Sequence, residues 1–286
     1  MGIIIFNDKA SDDYGIVVEH FPEYQRPARE YDKVHIDGRN GDLIIDKGSY
    51  GNAERSYQIA FGEYNGDYTS MANAVSEWLH GSSGYCRLED TYEPDFYREA
   101  IFSADVSFEN IYNQAGRATI SFNCKPQRFY KYGEESVIYN LSGEKVLYNP
   151  SEFDSYPLIK AYFNPDIITN SGFIIDHYNS NNEPVYSPTI WINHKRVNIL
   201  DSTPINDYLS DSDISDEYLV IDTETMDVYY QKIDGSIINF NIYVMKYDEG
   251  NNLSYYFPTF ISKSNNIVEF GYNFTKLEVI PRWWTI

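Results

Sequence analysis

Positive charge is scarce in this 286-residue sequence. Lys and Arg number 22 against 43 Asp and Glu, a formal net charge of −21. Both halves share the deficit: 12 basic residues face 21 acidic ones over 1–130, giving −9, and 10 face 22 over 131–286, giving −12. A phosphate backbone is gripped by clustered Lys and Arg, so no nucleic-acid-binding patch is expected. Such a surface also resists casual self-association, so any assembly must rest on large, specific contacts. Cysteine is scarcer still. Cys86 and Cys124 are too few for a disulfide framework and read as buried thiols on strands. No apolar run approaches the ~20 residues that span a bilayer. The opening run Ile3–Phe6 is too short for a signal-peptide core and has no basic flank, so synthesis in the cytoplasm is expected. Without a secretory signal, the glycosylation-like triplets at Asn140, Asn252 and Asn273 carry no weight.

Recognisable catalytic patterns are also missing. There is no nucleophile elbow, since Gly81-Ser82-Ser83-Gly84 has the wrong spacing, and there is no phosphate loop or dinucleotide fingerprint. The five histidines, His20, His35, His80, His177 and His194, are scattered without metal-ligand spacing and read as surface or satisfied core residues. A glycosidase needs only two carboxylates, but nothing singles out a pair among 43. One acidic cluster, Asp211, Asp213, Asp216 and Glu217 near Asp201 and Asp207, has the oxygen content of a Ca²⁺ loop. It lacks the EF-hand spacing and central Gly, and a solvated loop is the simpler reading. The expectation is a chain with no enzyme activity, cofactor or metal.

Aromatic residues are abundant, with 28 Tyr and 16 Phe. Tyr suits half-buried pleated surfaces, where the ring packs and the hydroxyl stays wet. A single helix is predicted at about 69–80. Asp67 or Thr69 caps it, Met71, Ala74, Val75, Trp78 and Leu79 fall on one face, and Gly81 stops it in the left-handed conformation. The rest reads as short strands: 2–6, 15–20, 31–37, 43–45, 57–61, 84–89, 100–109 and 117–124 in the first half. In the second half they are 136–141, 144–148, 157–163, 172–177, 188–193, 197–200, 218–222, 227–232, 236–246, 253–257, 266–270 and 275–282. Turn residues every 8–12 positions point to a sandwich or barrel, and the lack of strand–helix alternation argues against a parallel sheet.

A long hairpin is predicted near 31–61. Gly38-Arg39-Asn40-Gly41 holds Asn-Gly, a strong short hairpin signal. The stretch Asp46-Lys47-Gly48-Ser49-Tyr50-Gly51-Asn52 is polar and Gly-rich. It reads either as part of an arm reaching beyond its own domain or as an ordinary exposed loop. The strand pattern breaks after Pro126, so the expected domains are 1–130 and 146–286, joined by a linker at 131–145.

Several segments, in order, resemble the distal tail proteins of siphophages. They are His35-Ile36-Asp37-Gly38-Arg39-Asn40-Gly41-Asp42-Leu43, then Tyr50-Gly51-Asn52, and Phe122-Asn123-Cys124-Lys125-Pro126-Gln127-Arg128-Phe129-Tyr130. Later come Asn149-Pro150, Tyr156-Pro157-Leu158-Ile159, Phe257-Pro258, Asn265-Asn266-Ile267 and Val279-Ile280-Pro281-Arg282-Trp283-Trp284. One departure is visible: many relatives carry a Gly where this chain has Ser262-Lys263-Ser264. The resemblance spans nearly the whole chain and implies a mostly β protein. An N-terminal β domain with one helix would carry the hairpin arm (about 31–61), and the C-terminal domain would be a galectin-like β-sandwich. It further implies a homo-oligomeric ring, a hexamer, at the tail tip of the virion, assembled in the host cytoplasm. Its partners would be the tail tube protein, a tail-tip protein and a receptor-binding protein. The arm residues Gly38, Arg39, Asn40, Gly41, Lys47, Gly48, Ser49, Tyr50, Gly51 and Asn52 would lie at the subunit interface. The alternative is a carbohydrate-binding module using Trp191, Trp283 and Trp284. A hydrolase acting on host polymers is a third and weaker possibility.

Overall fold

The structure, a computed structural model, describes residues 2–23, 25–62, 68–104, 106, 108–111, 115–140, 143–164, 177–178, 184–185, 189–192, 195–199, 217–239, 244–247, 253–254, 257–271 and 274–286. The chain divides into two compact units, Met1–Lys131 with Thr285–Ile286, and Tyr132–Trp284. Both are built mainly of antiparallel strands, and among the described residues there is one α-helix.

The first unit contains β1 (Ile4–Phe6), β2 (Lys9–Ala10), β3 (Ile16–Val18), β4 (Arg29–Val34), β5 (Leu43–Tyr50) and β6 (Ala53–Gly62). After helix α1 (Tyr68–His80) come β7 (Cys86–Asp90), β8 (Phe96–Ile101), β9 (Glu109–Ile111) and β10 (Ala115–Tyr130). The main sheet runs β2-β1-β7-β8-β10-β6-β3, with β9 also on β10, while β4 and β5 form a separate two-stranded ribbon. Period-two alternation makes the core: Ile4 and Phe6, Tyr57, Ile59 and Phe61, and Ile120, Phe122 and Cys124 all point inward and are buried. Helix α1 covers this face with Met71, Val75, Trp78 and Leu79, all buried, and each such side chain contributes roughly 1.5–3 kcal/mol. The Trp78 indole donates to the carbonyl of Phe6 at 3.1 Å, so its polar atom is satisfied in the core.

Five expectations need correction here. The helix stops at Gly81, but not through a left-handed residue. A Cβ there would sit 2.8 Å from the Glu77 carbonyl oxygen, so crowding excludes a side chain. Asp67, one of the two expected caps, lies outside the described residues, and Thr69 is inside the first turn. No break occurs at Pro126: β10 continues through it to Tyr130, with a register shift against β8 between Cys124 and Arg128. Proline has no N–H to donate, and a bulge is where a strand tolerates it. The expected linker 131–145 instead holds a 3₁₀ turn (Lys131–Glu134), β11 (Val137–Tyr139) and the start of β12 (Gly143–Tyr148). Finally, Ala104, Val106 and Phe108 pack on the core, yet the ladder stops at Ile101. Cys86 and Cys124 both lie opposite Ala100, one on each side of β8. Two strand spacings, roughly 9.5 Å, separate them, beyond disulfide reach.

In the second unit, β13 (Leu158–Phe163), β14 (His177–Tyr178), β15 (Pro184–Val185), β16 (Thr189–Ile192), β17 (Lys195–Ile199), β18 (Tyr218–Asp222) and β19 (Asp227–Gln231) follow β12. Then come β20 (Ile237–Asn239), β21 (Val244–Tyr247), β22 (Leu253–Ser254), β23 (Asn265–Phe270) and β24 (Phe274–Ile280). Two six-stranded antiparallel sheets result, β11-β24-β13-β18-β19-β20 and β12-β23-β16-β17-β21-β22. Each buries one face, as the alternating burial of Leu158–Phe163 and Asn265–Phe270 shows, which is the pattern of a β-sandwich. Buried asparagines hold the loops. Asn149 donates to the carbonyls of Phe153 and Phe260 and accepts from the Ser151 amide, and Asn266 accepts from the Ile261 amide at 2.7 Å. In the departing turn, Lys263 takes φ +49°, a left-handed conformation that Gly adopts at no steric cost. Of the expected strand at 172–177 only His177, in β14, is described, and the acidic residues Asp201, Asp207, Asp211, Asp213 and Asp216 lie outside the described residues.

Candidate functional site

The β4–β5 ribbon is the feature that the core does not explain. Its two strands pair Val34 with Leu43, Lys33 with Ile44, Asp32 with Ile45 and Tyr31 with Asp46. Directly opposed residues share a face. One face therefore carries Asp32, Val34, Leu43 and Ile45, and the other carries Tyr31, Lys33, Ile44 and Asp46. Nearly every residue of the ribbon is exposed. Six of them are large and apolar (Tyr31, Val34, Ile36, Leu43, Ile44 and Ile45), each 38–53% exposed. An isolated two-stranded ribbon is marginally stable in water, and its outer edges present unpaired backbone groups.

What holds the ribbon in shape is polar and local. Arg29 pairs with Asp46 at 2.5 Å and lies over the Tyr50 ring, Lys47 pairs with Asp32 at 2.8 Å, and Ser49 donates to Glu30 at 2.7 Å. The hydrogen bonds from Arg29 hold the Asp46 carboxyl below the usual carboxylate range. Such exposed pairs add little stability, but they fix register. The root is closed by Gly51, whose N–H donates to the carbonyl of Ala28 at 2.9 Å. Asn52 then pins the return to the main sheet through Tyr85 and Asn123, at 2.7 and 2.6 Å.

The ten arm residues fall in three places. Gly38, Arg39, Asn40 and Gly41 belong to an eight-residue tip, 35–42. Arg39 N–H bonds the Ile36 carbonyl there, and both glycines take φ +80°. Asn40-Gly41 is therefore not a two-residue hairpin turn. Lys47, Gly48, Ser49 and Tyr50 are not a loop but the second half of β5. Gly48 has φ +74°, and three residues, 47–49, face Glu30 alone, so the Gly marks a bulge. Gly51 and Asn52 connect to β6. The hairpin proper thus runs 29–50 rather than 31–61, and Tyr57–Phe61 belong to the main sheet.

Beside the root lies a groove of about 360 Å³ lined by His20, Phe21, Pro22, Glu23, Ser56, Gln58 and Thr119. It exists because β3 pairs with β6 only at Ile59–Phe61; Glu19 N–H still reaches the Gln58 carbonyl, and the chain then runs alongside β6 without ladder pairing, held where Arg55 reaches the Glu23 carbonyl and where Gly51 N–H bonds the Ala28 carbonyl. Among the described residues, no strand pairs with Ala53–Gln58 on that side. Phe21, 60% exposed, packs edge-on against Tyr92 at the lip.

Under the groove is a buried charge network. Asp90 accepts from Arg55 at 2.8 Å and from the Tyr57 hydroxyl at 2.6 Å, and its other oxygen accepts the Tyr92 and Glu93 amides. Glu93 accepts from Arg98 at 2.5 Å and from Arg128. Burial pushes both carboxyls up, but their partners win. Tyr57 and Arg55 bring Asp90 below the usual range, and Arg98, Arg128 and Arg55 do the same for Glu93. Reading the sequence for chemistry missed this cluster, although strand parity carried a signal: Arg55 shares the inward parity of Tyr57, Ile59 and Phe61, and Asp90 that of Leu88.

Of the sugar-stacking candidates, Trp283 is buried against Phe260, and Trp284 stacks on Phe153 and donates to the Asp154 carbonyl. The Trp191 side chain lies outside the described residues. Among the described residues, no group of three or more His, Cys, Asp or Glu is placed to hold a metal ion, and no helix is long and apolar enough to cross a membrane.

No family model matches the chain, and no curated protein matches it by sequence. Among solved structures it is similar to the crystal structure of the SPP1 Dit protein (gp 19.1), described as a paradigm of hub adsorption apparatus in phages that infect Gram-positive bacteria. The likeness covers 100% of both chains at a TM-score of 0.65, with 10% sequence identity. It is a likeness of fold.

Proposed function

We propose that this chain is a structural hub of a bacteriophage tail, working by assembly rather than by catalysis. The observation that carries the reading is the exposed 29–50 ribbon, an element that needs a partner, on a chain whose whole length shares its fold with a phage hub protein. In this reading the first unit forms a ring of identical copies, a hexamer, with the ribbon reaching the neighbouring subunit. Each contact is heterologous, so the ring closes only when every interface turns the next copy by the same angle. One face of the ring meets the tail tube protein and the other a tail-tip protein. The second unit, as a galectin-like sandwich, docks receptor-binding or other baseplate proteins. The protein then resides at the tail tip of the virion after assembly in the host cytoplasm. The acidic surface fits this role, since it keeps unassembled copies apart until specific contacts form.

Light scattering over a range of concentrations, alone and with the co-expressed tail proteins, tests the reading, together with negative-stain images of any assembly. A closed ring is expected. A monomer under all these conditions rejects it. Of the carbohydrate-binding candidates, Trp283 is buried against Phe260, whereas Trp284 is half-buried with one face stacked on Phe153.

A further inference from the structure

We infer that Asn40, in the tip of the ribbon, is a site of spontaneous covalent modification: its side chain closes on the backbone nitrogen of Gly41 to a succinimide, which opens to an aspartyl or isoaspartyl residue. The inference concerns the chain by itself and does not rest on the ring-forming reading.

Asn is a chemically labile residue, and it reacts where its side chain and the next backbone nitrogen are both unhindered and unheld. Asn40 and Gly41 are both exposed. Gly41 has no side chain to shield its nitrogen, and a Cβ built there would meet nothing within 4 Å, so no packed neighbour confines the backbone. The polar contacts inside the tip are the Arg39–Ile36 backbone bond and the His35 ring against Asp37 and Asp42. Neither the Asn40 side chain nor the Gly41 N–H has a hydrogen-bond partner among the described residues. Comparable positions elsewhere are held. The Asn52 amide bonds Tyr85 and Asn123, and Ala53 follows it. In Asp234-Gly235 the glycine nitrogen donates to the Lys232 carbonyl at 3.0 Å. Asp37-Gly38 shares the tip, but an ionised carboxylate is a poor target for a nitrogen. The second Asn-Gly pair, Asn65-Gly66, lies outside the described residues. In the reaction, a base in solvent removes the Gly41 amide proton, and the nitrogen bonds the side-chain carbonyl carbon of Asn40. The bond from that carbon to the side-chain nitrogen breaks, and this nitrogen takes up a proton and leaves as ammonia. Water then opens the ring at either carbonyl, so no oxidant, reductant or cofactor is consumed. The formal charge of the tip goes from −1, Asp37 and Asp42 against Arg39 with His35 neutral, to −2. The isoaspartyl product also carries an extra carbon in its backbone. Strand pairing starts outside the tip, at Val34 and Leu43, so the ribbon accommodates the change.

The test holds the folded full-length protein and a free peptide covering residues 35–42 in mildly alkaline buffer. Both are sampled over days by mass spectrometry, with fragmentation that separates aspartyl from isoaspartyl products. Conversion at Asn40 of the folded protein is expected within about tenfold of the peptide's rate, since a segment that opens at almost no cost gives no protection. Slower conversion shows that the tip is held and overturns the inference. Asn52 is expected to stay intact in the same samples; its conversion in step with Asn40 would show the whole unit opening and would also overturn it. Asn40→Gln is expected to lose the signal, because the larger ring closes far less readily. An isoaspartyl product that persists in that variant places the reaction at Asp37 and refutes the assignment to Asn40. Conversion should slow in mildly acidic buffer, where the Gly41 proton is harder to remove, and a rate indifferent to pH refutes the attack by that nitrogen.

Discussion

Excision of the ribbon separates assembly from folding. Because Gly51 already bonds Ala28 across the root, Arg29–Tyr50 can be replaced by Asn-Gly, a two-residue connection that leaves β6 and the main sheet in place. The ribbon gives almost nothing to the core of its own unit, so thermal unfolding of the shortened monomer should stay within about 3 °C of the intact monomer. Assembly should respond very differently. Six large apolar residues, each 38–53% exposed, still show about 500 Å² to water, which at about 25 cal/mol per Å² is a ceiling of about 12 kcal/mol per ribbon buried. Association and ordering costs consume much of this. If only a quarter survives, about 3 kcal/mol, each contact still weakens more than a hundredfold on excision. Circular dichroism melting beside light scattering at matched concentrations reads both quantities. Rings that persist in the shortened protein, or a melting point about 10 °C lower, would refute the reasoning. The first outcome would make the ribbon dispensable, and the second would make it part of the fold.

Arg55→Met should cost the first unit about 3–5 kcal/mol in urea unfolding, because it strands the buried Asp90 carboxylate and leaves Glu93 with one cation fewer. Both carboxyls have lowered folded-state pKa values, so their stabilisation is full above about pH 4 and is lost as pH falls through those lowered values. The gap between wild type and Arg55→Met should therefore narrow on acidification, and a gap constant down to pH 2 would count against the network. Gly133→Ala should destabilise the second unit by more than about 2 kcal/mol, since the new Cβ would lie 2.6 Å from the Trp283 backbone nitrogen; an unchanged melting curve would show that the loop yields freely. Thiol titration of the native protein at pH 8 should leave Cys124 unreacted, because burial pushes its thiol up to about 12, and unfolding in denaturant should expose it.

Local signals made some of this legible in the sequence. The helix was readable because Met71, Val75, Trp78 and Leu79 repeat at helical spacing, and the sheet core because alternation survives in Tyr57–Phe61 and Ile120–Cys124. The bulge at Gly48 was not, because a Gly among polar residues gives the same signal in a loop and in a bulge; only the cross-strand register tells them apart. The passage of β10 through Pro126 was hidden for the same reason, as the compensating shift lies in its pairing with β8. The groove depends on where β3 stops pairing with β6, a matter of tertiary register that no short window contains. Arg55 and Asp90 are 35 residues apart, and only strand parity connected them.

A two-stranded ribbon closed by one hydrogen bond at its base is also a graduated rod. Each residue added to both strands lengthens it by about 3.4 Å, and only additions in pairs return Tyr31 and Ile44 to the side they started on. Its span can therefore be reset in steps of about 7 Å by insertions at the root, before Tyr31 and after Asp46, without changing the pairing of the main sheet. A lone insertion in each strand would instead turn the Val34, Leu43 and Ile45 face to where Lys33 had been. The length of the rod and the handedness of its grip are thus locked to the parity of two short strands.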